Sequence, residues 1–206
     1  MSTLIFLWLH NQTFYKNLQT QALEPIASSD THKKWADIGC STGLITRLAQ
    51  KLNYNVTGYD INTFSLFISK LLAYNVKNIS YIKKDFFTLH ASYDIVSATS
   101  LLSVVEDPED TLHKLISLMK DNSSTLIIIE PSKYLSRKNV WKQIHNIKTF
   151  WHYRGLLLWA KARENKHIDN SIFEALKNVK LSQKYYLHDM VCVTYIQKTT
   201  IQTSYA

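Results

Sequence analysis

Residues 35–43, Trp-Ala-Asp-Ile-Gly-Cys-Ser-Thr-Gly, set a short apolar run, an acid and a compact turn with two glycines in series. A helical pattern opens directly behind them at Leu44. Seventeen residues past Gly43, a second apolar run from Val56 to Tyr59 ends in another acid, Asp60. A strand that turns through glycine straight into a helix aims the first helical N–H groups at the turn and so builds an anion site. An acid closing the next strand is placed to accept from ribose hydroxyls. The segment therefore reads as a βαβ unit with a nucleotide-type turn. The dinucleotide form of that turn is Gly-x-Gly-x-x-Gly, and here Ser41 and Leu44 occupy the second and third glycine positions. NAD and FAD are disfavoured on that ground. The Gly-Lys-Ser/Thr ending of a phosphate loop is missing as well.

The rest of the chain repeats the alternation. Helical spacing covers residues 11–22, 44–52 and 64–74, the last with Phe64, Phe67, Ile68, Leu71 and Leu72 on one stripe. Strand-like runs fall at 34–38, 55–59, 80–83, 93–98 and 126–129, the last closed by Glu130-Pro131. Asp107-Pro108-Glu109-Asp110 opens a helix running to about Lys120, because proline and carboxylates both suit a first turn. Residues 180–187 and 190–197 read as two strands joined by a tight turn at His188-Asp189. Such alternation implies an α/β fold, a parallel sheet with helices on both faces. Ligands in these sheets bind at the carboxyl ends of the strands. Asp37, Asp60, Asp85, Ser97 and Glu130 all fall at or just past those ends.

A chain of 206 residues can enclose one sizeable core. With 4 glycines, 3 prolines, no repeat and no linker, a single domain over 1–206 is expected. Residues 4–9 are apolar but too short to span a bilayer, and they lack the basic start and small-residue cleavage site of a secretory signal. Cys40 and Cys192 supply neither a metal cluster nor a disulfide framework, so no metal and a reducing, cytoplasmic setting are expected. The net charge of +8 is unevenly spread. Residues 133–184 carry 12 Lys+Arg against Glu164, Asp169 and Glu174, whereas residues 1–132 hold 11 Lys+Arg and 12 Asp+Glu. That late excess fits either solvated lysine-rich faces or an anionic partner.

Asp-x-Gly-x-x-x-Gly followed by an acid at the end of the next strand resembles motif I of the class I S-adenosylmethionine-dependent methyltransferases. Its usual form is Asp-x-Gly-Cys-Gly-x-Gly, and Ser41 replaces the middle glycine here. The resemblance covers about residues 30–132 by motif and the final strands by order. It implies a Rossmann-like, mostly parallel seven-stranded sheet with helices on both faces and a C-terminal antiparallel strand pair. It also implies S-adenosylmethionine as cofactor and S-adenosylhomocysteine as product. By the same resemblance, Gly39, Cys40, Ser41 and Gly43 hold the amino-acid end, and Asp37 reaches the ammonium through water. Asp60, with Ile61 beside it, takes the ribose hydroxyls. Asp85 takes the adenine amino group, Phe86 packs by the ring, and Ser97 lines the methionine portion. Each has a plainer reading: a strand-to-helix turn, an N-cap at Asp60, a surface carboxylate at Asp85 paired with Lys84. Residues 101–107 resemble the family's Leu-x-His-φ-x-Asp segment, with Ser103 where histidine is frequent.

In this family, insertions after the fifth strand often cover the substrate. Residues 133–179 would be such a basic helical cap, and residues 1–30 an N-terminal helical segment. Val140, Ile144, Ile147 and Trp151 share one face of a helix expected over 137–152, with Lys138, Lys142, His145 and Thr149 on another. The block from Arg154 to Arg163 is apolar and flanked by cations. A cap lined this way suits a hydrophobic, anionic small molecule. It also suits an anionic membrane surface or RNA, and equally a core helix with snorkelling ends. His145, His152, Tyr153 and His10 are the candidates for any base. Three functions stand at this point: methylation of a small molecule, methylation of tRNA or rRNA docked through residues 133–184, and non-catalytic cofactor binding. The sequence gives no oligomeric state.

Overall fold

A computed structural model describes residues 3–31, 33–143, 150–164 and 166–199. Seven strands form one sheet in the order β3-β2-β1-β4-β5-β7-β6. They are β1 (Lys34–Ile38), β2 (Asn55–Asp60), β3 (Ile79–Lys83), β4 (Ile95–Thr99), β5 (Thr125–Pro131), β6 (Val179–Tyr186) and β7 (Val191–Lys198). The first five run parallel, and β7 lies antiparallel between β5 and β6. The expected Rossmann-like architecture with a closing antiparallel pair is therefore present. The expected fourth strand starts two residues late. Tyr93 pairs instead with Met119, donating to Leu118 O and accepting from Lys120 N.

The central strands read as continuous apolar runs because both faces are covered. All seven residues of β5 are buried, and its side chains alternate between two cores. Ile127 and Ile129 join Trp35, Val56 and Ile95 on one face, and Leu126 and Ile128 join Ala36, Ile38, Val96 and Ala98 on the other. The first face is covered by α2 (Thr13–Leu23), α3 (Leu44–Lys51) and α7 (Phe150–Arg163). The second is covered by α5 (Pro108–Ser117) and by Phe173 of the short α8 (Ser171–Glu174). At the start of α5, Asp107 accepts from Asp110 N–H at 2.8 Å with Pro108 behind it, a cap worth ~1 kcal/mol.

Two helices differ from their sequence patterns. In α4 (Thr63–Leu72) the buried residues are Ser65, Leu66 and Ser69, while Phe64, Phe67, Leu71 and Leu72 are exposed. The expected helix over 137–152 ends early. Its first part, α6 (Arg137–Lys142), stops at Gln143, whose backbone is no longer helical, and α7 starts at Phe150. Residues 144–149, including Ile144, His145 and Ile147, lie outside the described residues. Ahead of the sheet, α1 (Thr3–His10) precedes α2. Among the described residues, no helix is long and apolar enough to cross a membrane.

Candidate active site

The turn between β1 and α3 is built as its composition requires. Gly39 and Gly43 have φ of 67° and 72°, the left-handed region that side chains resist. A Cβ on Gly43 would come within 2.3 Å of the Tyr81 hydroxyl, so only glycine fits there. A Cβ on Gly39 would meet Leu101 Cδ1 at 3.2 Å and fill the cradle above the turn. Ser41 takes φ 48° without being glycine. Its N–H donates to Asp60 Oδ2 at 2.8 Å, and the Asn62 N–H donates to Asp60 Oδ1 at 2.7 Å. Asp60 thus ties the β1 turn to the β2 turn. The cap of α4 falls to Asn62, which accepts from Ser65 N–H at 2.9 Å, and not to Asp60. Each Asp60 oxygen retains an acceptor site for a hydroxyl.

Asp37 lies beneath this turn, buried among partners. Its Oδ2 accepts from the Thr46 N–H at 3.1 Å and hydroxyl at 2.7 Å, and its Oδ1 accepts from Ser97 Oγ at 2.9 Å. Ser97 in turn accepts from Trp35 Nε1 at 2.8 Å. Burial raises the Asp37 pKa to about 6, with the Thr46 and Ser97 bonds holding it back. This corrects the expectation for Ser97. It braces Asp37 inside the sheet and does not line the cavity above. Strand alternation gives that place to Thr99, two residues on and on the same face.

A cavity of about 910 Å³ opens over the carboxyl ends of the strands, large enough for a cofactor and a second small molecule. Asp37, Gly39, Cys40, Ser41, Asp60, Ile61, Asp85 and Phe86 all line it, while Gly43 shapes the turn from below. Asp85 also accepts from the Phe87 N–H at 3.0 Å, and the Phe86 and Phe87 rings sit 4.5 Å apart. No ion pair with Lys84 forms among the described residues. Burial pushes the Cys40 thiol up, so it stays protonated.

Of the expected bases, His10 lines the cavity. Its Nδ1 lies 2.7 Å from Thr42 Oγ1 and its ring stacks 5.0 Å from Tyr15. Burial, then Arg47, lowers its pKa to about 3, so it is neutral at physiological pH. His152 and Tyr153 do not reach the cavity: His152 packs edge-on to Phe14, and Tyr153 is buried against Trp141. His145 lies outside the described residues.

The structure adds residues that motif reading missed. Tyr15 and Gln19 of α2, Phe6 of α1 and Arg163 at the end of α7 also line the cavity. One clue was legible: Tyr15, Leu18, Gln19 and Ala22 share one helical face, which places a glutamine on a buried stripe. Glu130 Oε1 accepts from Leu102 N–H at 2.8 Å while its Oε2 has no partner. Burial raises its pKa to about 7.

A glycine cradle that a Cβ would fill, a carboxylate at the end of β2 and an aromatic at the end of β3 fit the parts of S-adenosylmethionine. The comparisons agree with that fit. A family model described as a methyltransferase domain matches residues 8–178. The chain belongs to this family and is a class I S-adenosylmethionine-dependent methyltransferase. It is 29% identical over 182 residues to the ubiquinone biosynthesis O-methyltransferase of Pseudoalteromonas translucida, covering 80% of this chain and 75% of the relative. The enzyme of the same name from Erwinia tasmaniensis is 28% identical, covering 71% and 68%. Among solved structures, the N-methyltransferase NodS from Bradyrhizobium japonicum, bound to S-adenosylhomocysteine, superposes with a TM-score of 0.65 at 15% identity, covering 92% of this chain and 90% of NodS. The plantazolicin methyltransferase BpumL also gives 0.65, at 14% identity, covering 92% and 87%. These two likenesses concern the fold.

Proposed function

We propose that this methyltransferase acts on a small, largely apolar acceptor enclosed between the glycine turn, the N-terminal helices and residues 133–179 serving as a cap. The observation that carries this reading is the make-up of the cavity lining. It joins polar fittings for a cofactor, Gly39 to Ser41, Asp60 and Asp85, to the apolar Phe6, Leu101, Val104 and Val105, with Arg163 of α7 on the same lining. Gly39 to Gly43 would receive the amino-acid end, Asp60 the ribose hydroxyls, and Asp85 with Phe86 the adenine. The cofactor supplies a methyl group already activated on a sulfonium. The chain's task is then to align the acceptor and exclude water, and the buried Tyr15 with the half-buried Leu101 on the lining suits that task. The O-methyltransferases of ubiquinone biosynthesis among its relatives support an oxygen acceptor. A reducing, cytoplasmic setting fits two cysteines that are free and buried.

The test is formation of S-adenosylhomocysteine from S-adenosylmethionine with panels of phenols, carboxylic acids and amines, run beside unmodified tRNA and rRNA. Turnover with a small molecule and none with RNA is the expected result. Turnover only with RNA would overturn the reading, as would cofactor binding without transfer to any acceptor.

A further inference from the structure

The cavity is lined by six carboxylates, Asp37, Asp60, Asp85, Glu106, Asp107 and Asp110, and among the described residues by two permanent cations, Lys84 and Arg163. Lys84 stands beside Asp85 just past β3. Arg163 stands at the other end, arriving from the cap. Its guanidinium lies 5.7 Å from the Phe6 ring centroid, and its buried Nε has no hydrogen-bond partner. The ion pairs among the described residues are Lys120–Asp94 and Arg137–Glu164, so no carboxylate neutralises Arg163 by direct contact. The Arg137–Glu164 pair, at 3.0 Å, instead anchors the chain directly after Arg163 to α6. Gln19, beside Tyr15, lines the same cavity at 1% exposure, and neither of its amide atoms makes a close hydrogen bond. Thr99 Oγ1 and Ser100 Oγ, also on the lining, are unpaired and buried. Thr111 Oγ1 is the fifth such group. Buried polar atoms in folded proteins are nearly always paired, and five unpaired side chains on one cavity lining point to a polar ligand group.

We propose that Arg163 and Gln19 form a carboxylate-binding subsite that selects methyl acceptors carrying an acid group. The inference rests on the methyltransferase reading and deepens it by naming the substrate class. A guanidinium fork matches a carboxylate, and the Phe6 ring beside it keeps water away. One cation and one neutral amide offset a single negative charge, while the nearby acids oppose a dianion such as a phosphate monoester. Position separates this subsite from the cofactor's own carboxylate. The glycine turn follows β1, whereas Arg163 comes from α7 in the segment after β5, and β4 lies between those two strands.

The experiment titrates protein saturated with S-adenosylhomocysteine with matched probes, benzoate against benzamide and octanoate against octanamide. It uses wild type, Arg163→Gln and Gln19→Leu, with circular dichroism as the check on folding. S-adenosylhomocysteine itself is titrated into each. The expected result is that wild type binds at least one acid about tenfold more tightly than its amide. Arg163→Gln abolishes that preference, Gln19→Leu reduces it, and affinity for S-adenosylhomocysteine changes less than about twofold. The proposal is overturned if wild type binds acids no better than amides, which needs no variant to establish. It is also overturned if the preference survives Arg163→Gln, or if that change weakens S-adenosylhomocysteine binding about tenfold, which would give the arginine to the cofactor. Failure of wild type to bind S-adenosylhomocysteine at all would instead overturn the methyltransferase reading beneath it.

Discussion

Asp37 and Glu130 are both buried carboxyls, yet they are held differently. Asp37 has bonds on both oxygens, from Thr46 and Ser97, and acts as a brace between β1, β4 and α3. Glu130 accepts from Leu102 N–H on Oε1 and has no close partner on Oε2, and burial raises its pKa to about 7. A folded-state pKa above the unfolded value means that the folded protein holds a proton the unfolded chain has already lost. Stability from this group is therefore present at low pH and falls as pH rises from about 4.5 through about 7. Glu130→Gln keeps an acceptor for Leu102 and removes the ionisation. Urea denaturation should show it more stable than wild type, with the gain at pH 8 exceeding that at pH 5 by roughly 2 kcal/mol. An equal effect at both pH values would mean that Glu130 does not carry the raised pKa. At this scale the sequence was legible where chemistry is local. The turn from Asp37 to Gly43 and the acid at Asp60 read directly, because glycine at positive φ and an acid at a strand end leave few choices. Ser97 was misplaced by one step of strand alternation. Gln19 and Arg163 were not assigned, since 144 positions separate them in the chain and only the fold brings them together.

The period of α4 was readable and its orientation was not. Phe64, Phe67 and Leu71 form a clear helical stripe, and they are 50%, 61% and 63% exposed. The helix packs on β2 and β3 at the edge of the sheet, where small residues allow close approach. Ser69 Oγ donates to Leu66 O at 2.8 Å, and Ser65 Oγ lies 3.1 Å from Thr3 Oγ1 of α1. Leu66 is the apolar residue that the helix buries, beside Cys40, Ala73 and Tyr81. Periodicity alone favours the larger stripe, and the close packing at Ser65 and Ser69 favours the opposite one. Thermal or urea unfolding should therefore separate two neighbours. Leu66→Ala is expected to cost about 2–4 kcal/mol, and Phe67→Glu less than about 0.5 kcal/mol. The reverse ranking would place the other face of α4 against the sheet.

At the scale of the molecule, five parallel strands were foreseeable from alternation, and the polarity of the last two strands held a further clue. Val191 to Ile196 are buried throughout, whereas β6 is largely exposed, so β7 takes the inner place beside β5 and β6 forms the edge. The resemblance to the methyltransferase fold implied the antiparallel pair but not which strand lies inside, because no local pattern states which strand a hairpin presents to its neighbour. The uneven charge also takes on a place in the fold. The segment holding the excess cations follows β5 and runs into β6, and its Arg163 is on the cavity lining. We propose that the carboxyl edge of this sheet binds S-adenosylmethionine through the glycine turn and Asp60. Calorimetric titration of S-adenosylhomocysteine into wild type and Asp60→Ala tests it most directly. Micromolar binding to wild type is expected, with a loss of about 100-fold or more in a variant that remains folded. No binding to wild type, or equal affinity in the two proteins, would contradict it.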